Sequence, residues 1–360
     1  MPSAIGKTKA PCHTAVFAAP SRCQSASWSW QPPAPPGWNV LPQGLRTLGV
    51  QLFNGNATLL NELVRTTTSP MCHRFFCSDR DKLTMTMALV QPAGDSGVRR
   101  LAGEAKWGFQ RGGNEGDNYA IRQAGARSGG VIVDVGSNLG DVAIAAATLH
   151  PEAIVVGVEA NPITYFYMRW NLHLNGLAAD SVFPRVRSNA ARAKQRGAPP
   201  PVQRVVALHG AIGTSDMRMY AAPGNTLNAM AVPQRPAAAE AARGQARVAA
   251  FLQQWPGAVR TDVAAVNLPR LLTEHGVTQV RLLKVDCEGC EYGVLPEWAS
   301  SGFLARVRLL SAETHARYAT AGTYSAQAME KLDAALLARG CRRPPRPGKK
   351  PWQLEFDFPC

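Results

Sequence analysis

Apolar residues along this chain come in two rhythms. Five short runs, at 131–135, 154–158, 204–208, 280–285 and 306–312, are mostly apolar, and the first three are rich in valine and isoleucine. Such runs predict strands buried on both faces. Stretches with helical spacing follow at 140–149, 162–175, 288–299 and 325–339. The second of these has Asn161 as a helix N-cap, Pro162 in the first helical position and Gly176 at the far end. The alternation of strand and helix predicts an α/β fold, a doubly wound, mostly parallel sheet with helices on both faces. The alternating stretch 352–358 predicts a last strand. The stretch 83–89 predicts a strand covering the edge of this fold.

The rhythm weakens elsewhere, and this divides the chain. Residues 1–61 read as a leader or disordered extension, 62–114 as a covering segment, and 115–360 as the main domain. Surface insertions are expected at 178–203, rich in Pro and Arg, and at 221–250, rich in Ala and helical in part. No Asp or Glu occurs before Glu62. That composition fits an organellar transit peptide, a secretory leader or a plain extension, so an organelle and the secretory pathway both stay open. Asn56-Ala57-Thr58 is a glycosylation sequon that matters only in a secreted chain. No apolar run approaches the ~18–20 residues of a membrane span.

The net charge is +14. Segments 1–61, 180–206 and 341–350 carry +4, +5 and +5, and the remainder is neutral. A nucleic-acid enzyme more often carries a basic stripe on its folded face. The placement therefore argues against a nucleic-acid partner and for solvated basic segments.

Candidate chemistry collects at strand ends. Asp134, Gly136, Asn138 and Gly140 form a glycine-rich turn after the first run, and Glu159 closes the second. In doubly wound sheets this is where a nucleoside-bearing cofactor sits, with the acid on the ribose hydroxyls. A dinucleotide turn would need G-x-G-x-x-G, with a glycine giving room to the pyrophosphate. Here the turn reads Gly136-Ser137-Asn138-Leu139-Gly140. The Asn138 side chain would crowd a pyrophosphate but can bond an amino-acid tail, which favours S-adenosylmethionine. The alternative without a ligand is a tight strand-to-helix turn.

A second cluster follows the run 280–285, with Asp286, Cys287, Glu288, Gly289, Cys290 and Glu291. Together with the motifs at 134–140 and 158–162, the motif at 283–295 resembles the FkbM-like family of S-adenosylmethionine-dependent methyltransferases. Looser matches lie at 208–214 and at 311–315, where the family tends to end a strand with an acid and a histidine. The resemblance covers roughly residues 115–340. It implies a class I methyltransferase-like (Rossmann-like) sheet with an antiparallel edge strand. It implies that Gly136, Asn138 and Gly140 hold the methionine end, that Glu159 holds the ribose, and that Ala211 and Ile212 offer backbone contacts to the adenine. Asp286 and His315 are the candidates for removing a proton from a hydroxyl acceptor. A small-molecule or glycan acceptor is expected from the resemblance alone, with residues 224–228 as a loop over it.

Cys287 and Cys290 form a lone C-x-x-C. Zinc would need two further ligands, so no metal site is expected, and a disulfide between them requires an oxidising compartment. Three rival readings remain: an NAD-dependent oxidoreductase, a nucleic-acid or protein methyltransferase, and a non-catalytic protein of the same fold.

Overall fold

The structure is a computed structural model. It describes residues 29–30, 40–67, 71–76, 84–92, 121, 124, 130–180, 204–222, 229–234, 238–287, 290–313, 330, 334 and 353–357. In chain order the elements are β1 (Ser29–Trp30), α1 (Gln43–Leu52), α2 (Ala57–Arg65), β2 (Met71–Phe76), β3 (Thr84–Leu89), β4 (Val131–Val135), α3 (Asp141–Leu149), β5 (Ile154–Glu159), α4 (Pro162–Leu174), β6 (Ala178–Asp180) and β7 (Arg204–His209). There follow β8 (Ala211–Ile212), β9 (Met217–Ala221), β10 (Ala229–Pro233), α5 (Ala238–Gln254), β11 (Val259–Val263), β12 (Ala265–Val266), α6 (Leu268–Glu274), β13 (Val280–Val285), α7 (Glu291–Ser300), β14 (Leu309–Glu313) and β15 (Gln353–Asp357).

The centre is a sheet of order β15-β14-β13-β4-β5-β7-β6. All its neighbours run parallel except β15, which pairs antiparallel with β14. This is the expected Rossmann-like α/β sheet with an antiparallel edge. The chain builds outward from β4 through β5 to β7, then returns to place β13 on the other side of β4. The order therefore reverses between β4 and β13, where such folds place their ligands.

Strand alternation splits the core in two. Ile132, Val155, Val205, Ala207 and Leu282 face α3 and α4, while Val133, Val156, Val206 and Leu283 face α6 and α7. By the same alternation Asp134, Glu159 and Lys284 lie on the α3/α4 face. Both of those helices begin just beyond the ends of β4 and β5, so their N-termini meet the acids.

The N-terminal part differs from expectation. Residues assigned to the leader form α1 and the start of α2. Leu45, Leu52, Leu60 and Leu63 join the same core as Phe166 and Trp170 of α4. The apolar spacing within 41–63 drives this burial, and composition alone hides it. The strand β3 pairs with β2 in a separate sheet and lies against α3 and α4 rather than on the edge of the central sheet. Asn171 of α4, fully buried, ties this segment down. Its Oδ1 accepts from Val90 N at 2.7 Å, and its Nδ2 donates to Val90 O at 3.2 Å and to Leu139 O at 2.9 Å. One side chain thus joins the covering segment to the glycine turn.

Within the expected insertions, β6 extends the central sheet, and residues 181–203 lie outside the described residues. The Ala-rich segment supplies α5, while β9, β10 and β11 form a small antiparallel sheet. The expected strand 306–312 begins later, at Leu309, because Phe303–Arg306 form a 3-10 turn. Most of the expected helix at 325–339 and the loop 224–228 lie outside the described residues. Among the described residues no helix is long and apolar enough to cross a membrane.

Candidate active site

The glycine turn is dictated by space. Gly136 has φ 72°, and a Cβ there would stand 1.7 Å from Asp286 O, so the turn of β4 and the loop after β13 touch backbone to backbone. Gly140 has φ 85° and caps α3, with Met168 against it. Between them Asn138 has φ 48°, a left-handed conformation that Asn tolerates better than most residues. Its N–H donates to Glu159 Oε2 at 2.8 Å. The other oxygen, Oε1, accepts from Asn161 N at 2.7 Å. Glu159 therefore fastens the turn to the start of α4. The Thr164 hydroxyl is a third hydrogen-bond partner of this carboxylate. Burial pushes the Glu159 carboxyl above its ordinary range, and the two backbone donors only partly offset this.

On the other side of the turn stands a buried charge cluster. Register places Lys284 of β13 directly opposite Asp134 of β4. Lys284 is 3% exposed and Asp134 is 0% exposed. The Lys284 Nζ lies 3.0 Å from Asp134 Oδ1 and 3.8 Å from Asp286 Oδ2, and donates to Gly136 O at 2.7 Å. Burial alone would lower its pKa; Asp134 and Asp286 more than reverse that, so it stays charged. Asp141, the first residue of α3, joins the group. Burial and then the charge of Asp134 push its carboxyl up to about 6. Three carboxylates thus surround one ammonium. Asp134 Oδ2 and the Oδ1 of Asn138 are buried without a hydrogen-bond donor.

The acid loop is held separately. Asp286 N donates to Val135 O at 3.0 Å. Cys287 N donates to the buried Glu291 Oε1 at 2.7 Å, and Cys287 and Cys290 form a disulfide. Asp286 is only partly buried, its side chain 21% exposed, so its carboxylate is accessible; Asp141 is part-buried too, whereas Asp134 is fully buried.

On the β7 side, Ala211 and Ile212 sit beyond the end of that strand. Ala211 N donates to Ala264 O at 3.1 Å and Gly213 N to Val266 O at 3.2 Å. Alternation then turns the Ile212 N–H away from β12, toward the open edge. Of the two backbone donors expected there, that of Ala211 is already engaged. The adjoining His209 stacks on Tyr165 with centroids 5.0 Å apart, and burial lowers its pKa.

The structure thus gathers Asp134, Gly136, Asn138, Gly140, Glu159 and Asp286 around one turn at the reversal of strand order, with Ala211 and Ile212 two strands away. His315 lies outside the described residues. Sequence reasoning passed over Lys284 and Asp141. The signal was available: a lysine between apolar residues of a strand is rarely buried without partners.

Comparison with known families decides what this arrangement belongs to. A family model, the methyltransferase FkbM domain, matches residues 134–340. The chain belongs to the FkbM methyltransferase family. The match starts at Asp134 and runs through Glu159, Lys284, Asp286 and His315, so it takes in the whole cluster described above. No curated protein and no solved structure matches the chain. For this methyltransferase the Rossmann-like sheet and the reversal between β4 and β13 are the frame on which this cluster stands.

Proposed function

We propose that this methyltransferase uses S-adenosylmethionine and methylates a hydroxyl of a small molecule or glycan. The observation that carries the donor reading is the excess of negative charge, with buried Asp134 and part-buried Asp141 and Asp286 near the single buried ammonium of Lys284. The methionine end of the donor bears an ammonium, a carboxylate and a sulfonium, a net positive charge that such a pocket favours. A nicotinamide dinucleotide would instead bring a doubly negative pyrophosphate to the same carboxylates. Asn138 also occupies the place where a pyrophosphate turn has a glycine.

The residues present fit the donor. The Asn138 Oδ1, buried without a donor, suits an ammonium. The remaining acceptor capacity of the Glu159 carboxylate suits a ribose hydroxyl, and the Ile212 N–H suits an acceptor nitrogen of the adenine. When bound, the donor supplies an electrophilic methyl on sulfonium sulfur. The protein's part is to fix the geometry, exclude water and take up the proton that the acceptor hydroxyl loses. Positioning alone can contribute about 7–11 kcal/mol of the barrier. Asp286, an accessible carboxylate, is the base, with His315 as a second proton acceptor; a positioned base typically adds about 10²–10⁴-fold. The hydroxyl acceptor rests on the resemblance to the family.

Calorimetric titration with S-adenosylhomocysteine, with NAD and a Glu159→Ala variant as controls, tests the donor. Micromolar binding lost in the variant is expected, while binding of NAD alone would overturn the reading. A screen of hydroxyl compounds and glycans for methyl uptake tests the acceptor, with uptake by nucleic acid or protein as the contrary result.

A further inference from the structure

Lys284 is a poor choice for a strand interior unless it has work there. Removing an ammonium from water is costly and needs good partners. Its neighbours on β13, Leu283 and Val285, are apolar and fully buried. It meets Asp134 from β4, Asp286 from the end of its own strand and Asp141 from α3, and Glu159 of β5 also feels its charge. It also reaches two carbonyls of the glycine turn, Gly136 O at 2.7 Å and Val135 O at 3.4 Å.

We propose that Lys284 is a positioning residue of the donor pocket: it ties the glycine turn to Asp286 and sets how much negative charge the cationic end of the donor meets. This rests on the donor reading above. A backbone carbonyl cannot titrate, so the tie through Gly136 persists at any pH. The Asp141 carboxyl can titrate, and the ammonium of Lys284 opposes the rise that burial and Asp134 give it. Lys284 thereby separates two tasks, holding the turn and holding the charge.

The test compares affinities for S-adenosylmethionine and S-adenosylhomocysteine between pH 5 and 9, by calorimetry on the full chain. The two ligands differ by the sulfonium charge, so their affinity ratio reports the charge of the pocket. In the wild type the preference for the sulfonium should rise as Asp141 loses its proton, with a midpoint near 6. Lys284→Met should move that midpoint upward by about one unit or more, because a nearby opposite charge has been lost. It should also weaken S-adenosylhomocysteine at pH 7 by about tenfold or more. A merely structural lysine would weaken both ligands equally at every pH and leave the midpoint in place, which would overturn the proposal.

Lys284→Met leaves a buried carboxylate without its cation, so a double variant, Lys284→Met with Asp134→Asn, guards against a folding failure. It removes both charges of the buried pair. Its midpoint should return toward that of the wild type while its affinity for S-adenosylhomocysteine stays weak, since the tie to Gly136 is still missing. Wild-type affinity in the double variant would overturn the proposal. Wild-type protein that binds neither ligand would instead overturn the donor reading, and this inference with it.

Discussion

Two ion pairs in this molecule look alike on paper and differ in every physical respect. Lys284 and Asp134 meet at 3.0 Å inside the central sheet, both almost wholly buried. Arg218 and Asp262 meet at 2.9 Å on the small antiparallel sheet, across β9 and β11, with side chains 30% and 53% exposed. Each pair stands in register across adjacent strands. The exposed pair gains little, because water screens it and both side chains lose freedom. The buried pair is costly to desolvate, and a well-packed apolar pair could often replace it without loss of stability. Sheet stability therefore does not explain why charge sits at the reversal of strand order, whereas a ligand that must be recognised there does.

The sharpest way to break the comparison is to remove one partner from each pair. Asp134→Ala should destabilise the protein by about 3–5 kcal/mol in denaturant unfolding, because it strands a buried ammonium. A loss no greater than that of a surface substitution would mean that the cluster is hydrated. At the next level down, pH distinguishes the two environments. The folded Asp141 carboxyl is held near 6, above its ordinary 3.8. The folded state therefore binds more protons than the unfolded state between these values, and stability falls as pH rises through that window. Glu159, also raised, adds to the fall. His209, with a lowered pKa, works in the opposite direction. Melting curves of wild type and Asp141→Asn should therefore agree near pH 4 and diverge toward pH 7, with the variant the more stable. Curves that stay parallel would mean that Asp141 is solvated. Smallest of all, Arg218→Ala should leave the melting temperature and cofactor affinity unchanged, and any clear drop would move that sheet from periphery to site.

What the sequence revealed, and what it hid, follows the same line between local and distant causes. The strands β4, β5 and β13 and the glycine turn were legible because apolar runs and a required positive φ are local signals. Glu159 was legible from its distance along the chain. Lys284 was not singled out, because its significance lies in a register across two strands separated by some 150 positions. The helices α1 and α2 were missed because acid-free, Pro-rich sequence before them suggested a leader, while their own leucines were spaced for burial. The engaged N–H of Ala211 depends on its pairing with β12, which no local pattern announces.

The bridge between Cys287 and Cys290 has a consequence for conformational freedom. A covalent ring this small restricts the unfolded chain by only about 2 kcal/mol, against about 4.7 kcal/mol for a hundred-residue loop. It is thus a weak staple for the fold as a whole. Its effect is concentrated on the few torsions between Asp286 and the first turn of α7, which are narrowed before any substrate arrives. Ordering that a flexible loop would undergo on binding is already built in here, and the carboxylate meets its partner with less entropy left to lose.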